Sequence, residues 1–281
     1  MKPKNNPDDG VPSGPVPETE RALDILDHSE TSFTSAEFAR ELSRQLGLGR
    51  AQSRKLLTRL VREREISYQD LYGSTRVMRN FFKPVRITPH FTLTPPDQTP
   101  EEPNSRIITI APGISFGSGH HPTTQLCLEL LDFLLFDTDF SQCHPGGHAA
   151  DVGTGSAVLA LAACHGGMAG CRAWEIDPVS VNEARKNIQL NHMAHCIELT
   201  DDFMPPCPDE FALLMANLRY PTLKQLRDLF IDSLTSGGQL ILSGFREWET
   251  PDLLSSYQEA GFTPEQIHHR KNWGAVLLRA S

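Results

Sequence analysis

The sequence predicts an α/β fold: a mainly parallel sheet covered by helices on both faces, preceded by a small helical region. Three observations carry this. From residue 106 to 281, strand-like and helical patterns alternate with short turns, the signature of βαβ units. Inside that run, "ADVGTGSAVLALAA" reads as strand, glycine-rich turn and helix. Ahead of it, residues 18–78 hold three helical patterns joined by short turns.

The bulk numbers fit such a protein. The chain has 281 residues, 39% hydrophobic and 22% charged, the balance of an ordinary globular protein. A net charge of -9 excludes a chain-wide polycation. No apolar run approaches the ~18 residues of a membrane span. The opening "MKPKNNPDDGVPSGPVPETE" lacks the apolar core of a secretory signal. A cytoplasmic location with no membrane partner is therefore expected. Cys127, Cys143, Cys164, Cys171, Cys196 and Cys207 form no CxxC pair and have no zinc-finger spacing, so they read as reduced thiols. His120 and His121 are adjacent, and neighbours in extended chain point to opposite sides, so no metal site is expected.

The elements follow in order. Residues 1–17 are rich in Pro, Gly, Asn and Asp and read as a disordered tail. "ERALDILDH" places Ala22, Leu23, Ile25 and Leu26 on one helical face. In "FTSAEFARELSRQLG", Thr34 and Glu37 make a capping box, and Gly47 is placed to end the helix. "RAQSRKLLTRLVRER" restarts after a short "GLG" turn, giving a helix-turn-helix outline. "EISYQDLYGSTRVMRNFF" can supply the strands of a wing, so residues 18–78 are expected to be a winged-helix-like domain. From Arg40 to Arg64, eight basic residues oppose two acidic ones, so this stretch carries +6 and the rest of the chain −15. Lys55, Arg59 and Arg62 share one helical face, while Leu57, Leu60 and Val61 share another. Charge alone leaves an RNA-binding helix and a protein-binding helix both open for residues 50–64. Residues 79–105 are rich in Pro and Thr and read as an extended linker.

The main domain, residues 106–281, opens with the strand of "RIITIAPG". "GHAADVG", "CRAWEID", "CIEL", "FALLMANL" and "GGQLILSGF" read as further strands. Between them lie helices at "SAVLALAACHG", "PVSVNEARKNIQLN" and "PTLKQLRDLFIDSL". The helix "TPDLLSSYQEAGF" and the strand pair "TPEQIHHR" and "WGAVLLRA" close the chain. Gly153 and Gly155 let the backbone turn tightly and approach a ligand, with free N–H groups of the next helix behind them. Glu175, at the tip of the next strand, is placed to accept hydrogen bonds from ribose hydroxyls. Asp177 precedes Pro178 and reads as a helix N-cap.

The block "DVGTGS…WEIDP…ANL" resembles class I S-adenosylmethionine-dependent methyltransferases, which implies a Rossmann-like, seven-stranded, mainly parallel sheet. "PGISFGSGHHPTTQLCLELL", "EIDPVSVNEARKNIQLN", "LLMANL", "GGQLILSGF" and Trp273 narrow this to a resemblance to the PrmA family, over about residues 106–281. Those enzymes methylate large-subunit ribosomal protein 11. The resemblance implies that the "FGSGHHPTT" segment lies over S-adenosylmethionine, with Phe116 and Gly117 against it and Thr124 bonded to it. Gly153, Gly155, Glu175 and Asn217 are the other implied cofactor positions. Asn217 matches the place where a related motif, Asn-Pro-Pro-Tyr, holds a substrate nitrogen. His120 and Trp273 are implied to line the reaction pocket with it. Three departures stand out: Glu175 where the family has Asp, Ala157 where it has Gly, and a basic helical N-terminus where it has a small α/β domain. Ala157 is expected inside the helix start, where alanine is tolerated.

The function implied is methyl transfer from S-adenosylmethionine to a protein nitrogen, a lysine side chain or an amino terminus, on a protein substrate such as a ribosomal protein. Two alternatives stay open: an RNA methyltransferase that grips its substrate with the basic helix, and a non-catalytic cofactor sensor that binds DNA.

Overall fold

The computed structural model of the chain describes residues 17–27, 29, 31–71, 74–79, 83–98, 100, 105–112, 119 and 121–281. The tail expected at 1–17 lies outside these residues up to position 16.

Three helices come first: α1 (Glu18–Asp27), α2 (Ser35–Leu46) and α3 (Arg50–Arg62). At the start of α2, Thr34 Oγ1 accepts from Glu37 N at 3.3 Å and Glu37 Oε2 accepts from Thr34 N at 2.7 Å, the reciprocal box that the spacing predicts. Gly47 ends α2 in the left-handed region with φ 68°. An antiparallel hairpin of β1 (Ile66–Leu71) and β2 (Ser74–Arg79) follows. These elements bury a cluster of their own, including Leu26, Phe38, Leu42, Leu56, Leu60 and Val77.

Residues 79–105 depart from the linker expectation. β3 (Val85–Arg86), β4 (Phe91–Thr94) and β5 (Arg106–Thr109) form a three-stranded sheet. Phe91, Leu93 and Ile108 are buried in the main core. The prolines that argued against helix are compatible with this short, edge-rich sheet.

The remaining elements are α4 (Pro122–Phe136), α5 (Phe140–Cys143), β6 (His148–Val152), α6 (Val158–His165), β7 (Gly170–Trp174), α7 (Pro178–Leu190), β8 (Ile197–Thr200) and β9 (Phe211–Asn217). Then come α8 (Tyr220–Gln225), α9 (Arg227–Ser233), β10 (Leu234–Arg246), α10 (Thr250–Gln258), β11 (Thr263–Arg270) and β12 (Trp273–Arg279). The single helix expected at "PTLKQLRDLFIDSL" is thus two, broken at Leu226 so that Phe230 turns into the core.

The seven strands of the main sheet run β11-β12-β10-β9-β6-β7-β8, with β12 alone antiparallel to both its neighbours. This is the class I methyltransferase sheet. Its order reverses between β6 and β9, and in open α/β sheets ligands bind beyond the carboxyl ends of the strands at such a point. The alternation along β9, β10 and β12 explains why both faces are covered. Leu213, Met215, Ile241 and Leu277 face one apolar cluster with α4 and α6, while Leu214, Ala216, Leu242 and Val276 face the other with Phe230 and Tyr257.

Ala157 corrects the sequence reading. It is not inside α6 but caps it with φ 65°, fully buried. An L-residue there carries a steric cost of about 1–2 kcal/mol, partly offset because alanine restricts the unfolded chain more than glycine does. Ala157→Gly is expected to stabilise the protein by about 0.5–1 kcal/mol, read as a rise of ~2 °C in melting temperature.

Candidate functional site

The residues singled out by sequence converge at the carboxyl end of the sheet. Gly153 follows β6 with φ 72°, and Gly155 has φ 57°. Both values lie where side chains are disfavoured, which explains the glycines at this turn. Glu175 follows β7 and faces them. Its Oε2 accepts from Gly155 N at 2.9 Å, and its Oε1 accepts from Ile176 N at 2.8 Å and Asp177 N at 3.0 Å. A carboxylate has about four acceptor positions, so capacity remains for a ligand hydroxyl. Asp177 caps α7, accepting from Ser180 N at 3.2 Å and Ser180 Oγ at 2.8 Å, with Pro178 in the first turn, as its spacing predicts.

Two atoms at this end are buried without a hydrogen-bond partner among the described residues: Thr124 Oγ1 on α4 and Asn217 Oδ1 at the end of β9. An unsatisfied buried polar atom costs about 1–3 kcal/mol, so each of these two leaves a polar group that a bound ligand could satisfy. Leu218, just after Asn217, donates its N–H to Ser243 O at 3.0 Å and covers the glycine turn. Asn217 is thereby fixed between β6 and β10.

Trp273 opens β12 and pairs with Arg246 at the end of β10. The Arg246 guanidinium lies 3.7 Å from the centre of the Trp273 ring and 5.8 Å from that of Trp248. The His121 ring meets the edge of Trp273 with centroids 4.9 Å apart. Phe116, Gly117 and His120 lie outside the described residues. The polar anchors of their segment are described on both sides. Asn187 of α7 donates to Ser156 O and accepts from Ala111 N, both at 2.9 Å, and Gln125 donates to Gly119 O at 3.2 Å.

Three participants escaped the sequence reading. Asp151, buried at the end of β6, accepts from Thr154 Oγ1 at 2.6 Å and Ala160 N at 3.0 Å, which ties the glycine turn to α6. The lone carboxylate in the apolar run "HAADV" was the available signal. His121 caps α4, its Nδ1 accepting from Thr123 N at 3.3 Å. Arg246 had no signal in its local sequence, because its role comes from the strand that pairs beside it.

Burial, with the charges of Arg246 and Lys271, pushes the His121 pKa down to about 4. The ring is therefore neutral at physiological pH and acts as an acceptor and packing surface. Burial pushes Asp151 the other way, up to about 6. The two stability contributions oppose each other. That of His121 is present above its unfolded value of 6.5 and is lost as pH falls towards 4. That of Asp151 is present below 3.8 and is lost as pH rises through 6. His121→Asn keeps a capping acceptor and removes the first contribution. In urea titrations, its stability relative to the parent is expected to rise by about 3 kcal/mol on going from pH 6.5 to pH 4. A constant difference across that range would show that His121 is not held neutral.

The residues at this end fit S-adenosylmethionine. Glu175 keeps acceptor capacity for a hydroxyl, and the Thr124 hydroxyl and Asn217 carbonyl are buried with no partner among the described residues. Comparison with known proteins agrees. The family described as Ribosomal protein L11 methyltransferase (PrmA) matches residues 35–281. A ribosomal protein L11 methyltransferase of Geobacillus kaustophilus is 34% identical over 203 residues, covering 71% of this chain and 62% of its own length. One from an Exiguobacterium strain is 31% identical over 208 residues, covering 72% and 62%. The chain thus spans a little under two thirds of these curated relatives. A ribosomal protein L11 methylase crystal structure from Lactobacillus delbrueckii subsp. bulgaricus superposes with a TM-score of 0.61 at 26% identity, over 71% of this chain and 100% of that one.

Proposed function

The chain belongs to the ribosomal protein L11 methyltransferase (PrmA) family, and from that premise we propose that it methylates a nitrogen of a ribosomal protein, a lysine side chain or an amino terminus, using S-adenosylmethionine. The observation that carries the reading is the pair of buried oxygens, Thr124 Oγ1 and Asn217 Oδ1, that have no partner among the described residues. The place of action this implies is the cytoplasm, where ribosomal proteins are made.

S-adenosylmethionine, when bound, supplies an electrophilic methyl group on a sulfonium. The residues of the chain do the rest. Gly153, Gly155, Glu175 and Thr124 hold the cofactor. Asn217 Oδ1 accepts an N–H of the incoming amine and so turns the nitrogen lone pair inward; positioning of this kind supplies much of the rate. The amine must be neutral, and with a reference pKa of about 10.4 only about one lysine in a few thousand is neutral at pH 7. Arg246 and Lys271 place positive charge around Trp273, and burial already holds the Lys271 pKa below its usual value. A cationic, desolvated wall of this kind drives the proton off an entering amine into solvent. Trp273 and His121 exclude water from the same side.

The test uses the purified chain, methyl-labelled S-adenosylmethionine and ribosomal extract, with the product divided between RNase and protease. Label that survives RNase, is lost to protease and runs at the size of large-subunit ribosomal protein 11 is expected. Label sensitive to RNase would overturn the protein substrate in favour of RNA.

A further inference from the structure

The N-terminal helices carry a basic surface that methyl transfer does not use. α3 buries Ser53, Leu56, Leu57 and Leu60 against α1 and α2. Its other face is exposed at Arg50, Arg54, Lys55, Thr58 and Arg62. Arg54, Lys55, Thr58, Arg59 and Arg62 line an open groove of about 620 Å³, with Glu18 as its one acidic member. Arg59 bonds Glu18 at 3.1 Å and Arg62 approaches Glu63 at 3.4 Å. Arg50, Arg54 and Lys55 make no side-chain hydrogen bond or ion pair among the described residues.

The spacing suits a chain of phosphates. Arg50, Arg54, Thr58 and Arg62 recur every four residues, so they form a row with about 6 Å of helix rise per step. The row stands in a stretch of charge +6, while the rest of the chain carries −15 and repels polyanions. A polyanion is thus favoured at this stretch over the chain as a whole. The uncharged groups of this face are partly engaged within the helix: Gln52 Oε1 accepts from Gly49 N at 2.9 Å, and Thr58 Oγ1 donates to Arg54 O at 3.0 Å. Arg50, Arg54 and Lys55 are cations that suit phosphates, the contacts that position a nucleic acid.

We propose that the exposed face of α3 holds the phosphate backbone of structured RNA. The choice of RNA rests on the ribosomal reading of the substrate, and the binding itself does not. A backbone-directed surface fits RNA helices, which proteins recognise mostly by shape and phosphate.

The test measures anisotropy of a fluorescein-labelled RNA stem–loop with the full chain, without cofactor, over a range of salt. The triple variant Arg50→Ala, Arg54→Ala, Lys55→Ala keeps good helix formers in α3. Its affinity for the RNA is expected to fall at least about tenfold, and the slope of log K against log salt to shrink by about 2–3. Its circular dichroism and melting temperature should match the parent, so loss of binding is not loss of fold. Unchanged RNA binding in the variant overturns the proposal. So does tighter binding of a DNA duplex of the same stem sequence, or equal displacement of the RNA by poly-glutamate at matched charge, which would assign the face to an acidic protein. Because no methyl transfer is read, a chain that fails to methylate protein still answers this question.

Discussion

Gly244→Ala is expected to cost about 3–5 kcal/mol and to lower the melting temperature by ~10 °C. Gly244 sits where the register of β10 shifts between Ser243 and Phe245, with φ 91°. A Cβ there would lie 2.3 Å from Leu218 O, 2.7 Å from Leu218 C and 2.9 Å from Leu218 N. These are backbone atoms and cannot swing aside as a side-chain tip would. Leu218 follows Asn217, so the shift that relieves the clash moves the site as well. Gly237→Ala is the control. Its φ is 73°, but the nearest atom to a new Cβ is His144 Nε2 at 4.0 Å, so it carries the conformational cost alone, about 1 kcal/mol. The contact accounts for the difference between the two variants. Equal melting temperatures would mean that β9 and β10 slide freely past each other at Leu218. Methyl transfer should fall in Gly244→Ala and not in Gly237→Ala.

Much of this arrangement was legible because it depends on local chemistry. The capping box at Thr34 and Glu37, the Asp177–Pro178 helix start and the Gly153 turn each need a residue type at a fixed spacing, and the spacing is in the sequence. The strands β9 and β10 were legible as unbroken apolar runs, since burial on both faces leaves no alternation. What escaped depends on pairing between distant segments. Arg246 meets Trp273 only because β12 inserts beside β10. Asn187 of α7 and Asn191 at its C-cap both bond the chain at residues 109–111, contacts that no local spacing signals. The strands within 79–105 were hidden because each is short and draws its stability from the core of the main domain. Ala157 was misplaced because alanine itself does not signal a glycine-like φ, although the glycine that the resemblance puts at this position does.

Asn217→Ala is expected to lower turnover about a hundredfold or more while cofactor affinity stays within a few-fold. The stability of this variant separates a functional role from a structural one. A buried carbonyl that held the fold would have a partner, and its removal would cost about 1–3 kcal/mol. Asn217 Oδ1 has none among the described residues, so truncation removes an unsatisfied acceptor and should leave the melting temperature unchanged or higher. A loss of activity without a loss of stability is therefore the signature to look for. Turnover reduced by no more than tenfold would remove Asn217 from the reaction. Asn217→Asp then tests how the amine is held. A carboxylate in the same place still accepts the amine N–H, but its charge favours the protonated form and raises the pKa of the amine. The rise of turnover with pH should shift upward by about one unit or more, with the alkaline plateau retained. An unshifted profile would place the acceptor nitrogen away from Asn217, and the carbonyl would then belong to the cofactor alone.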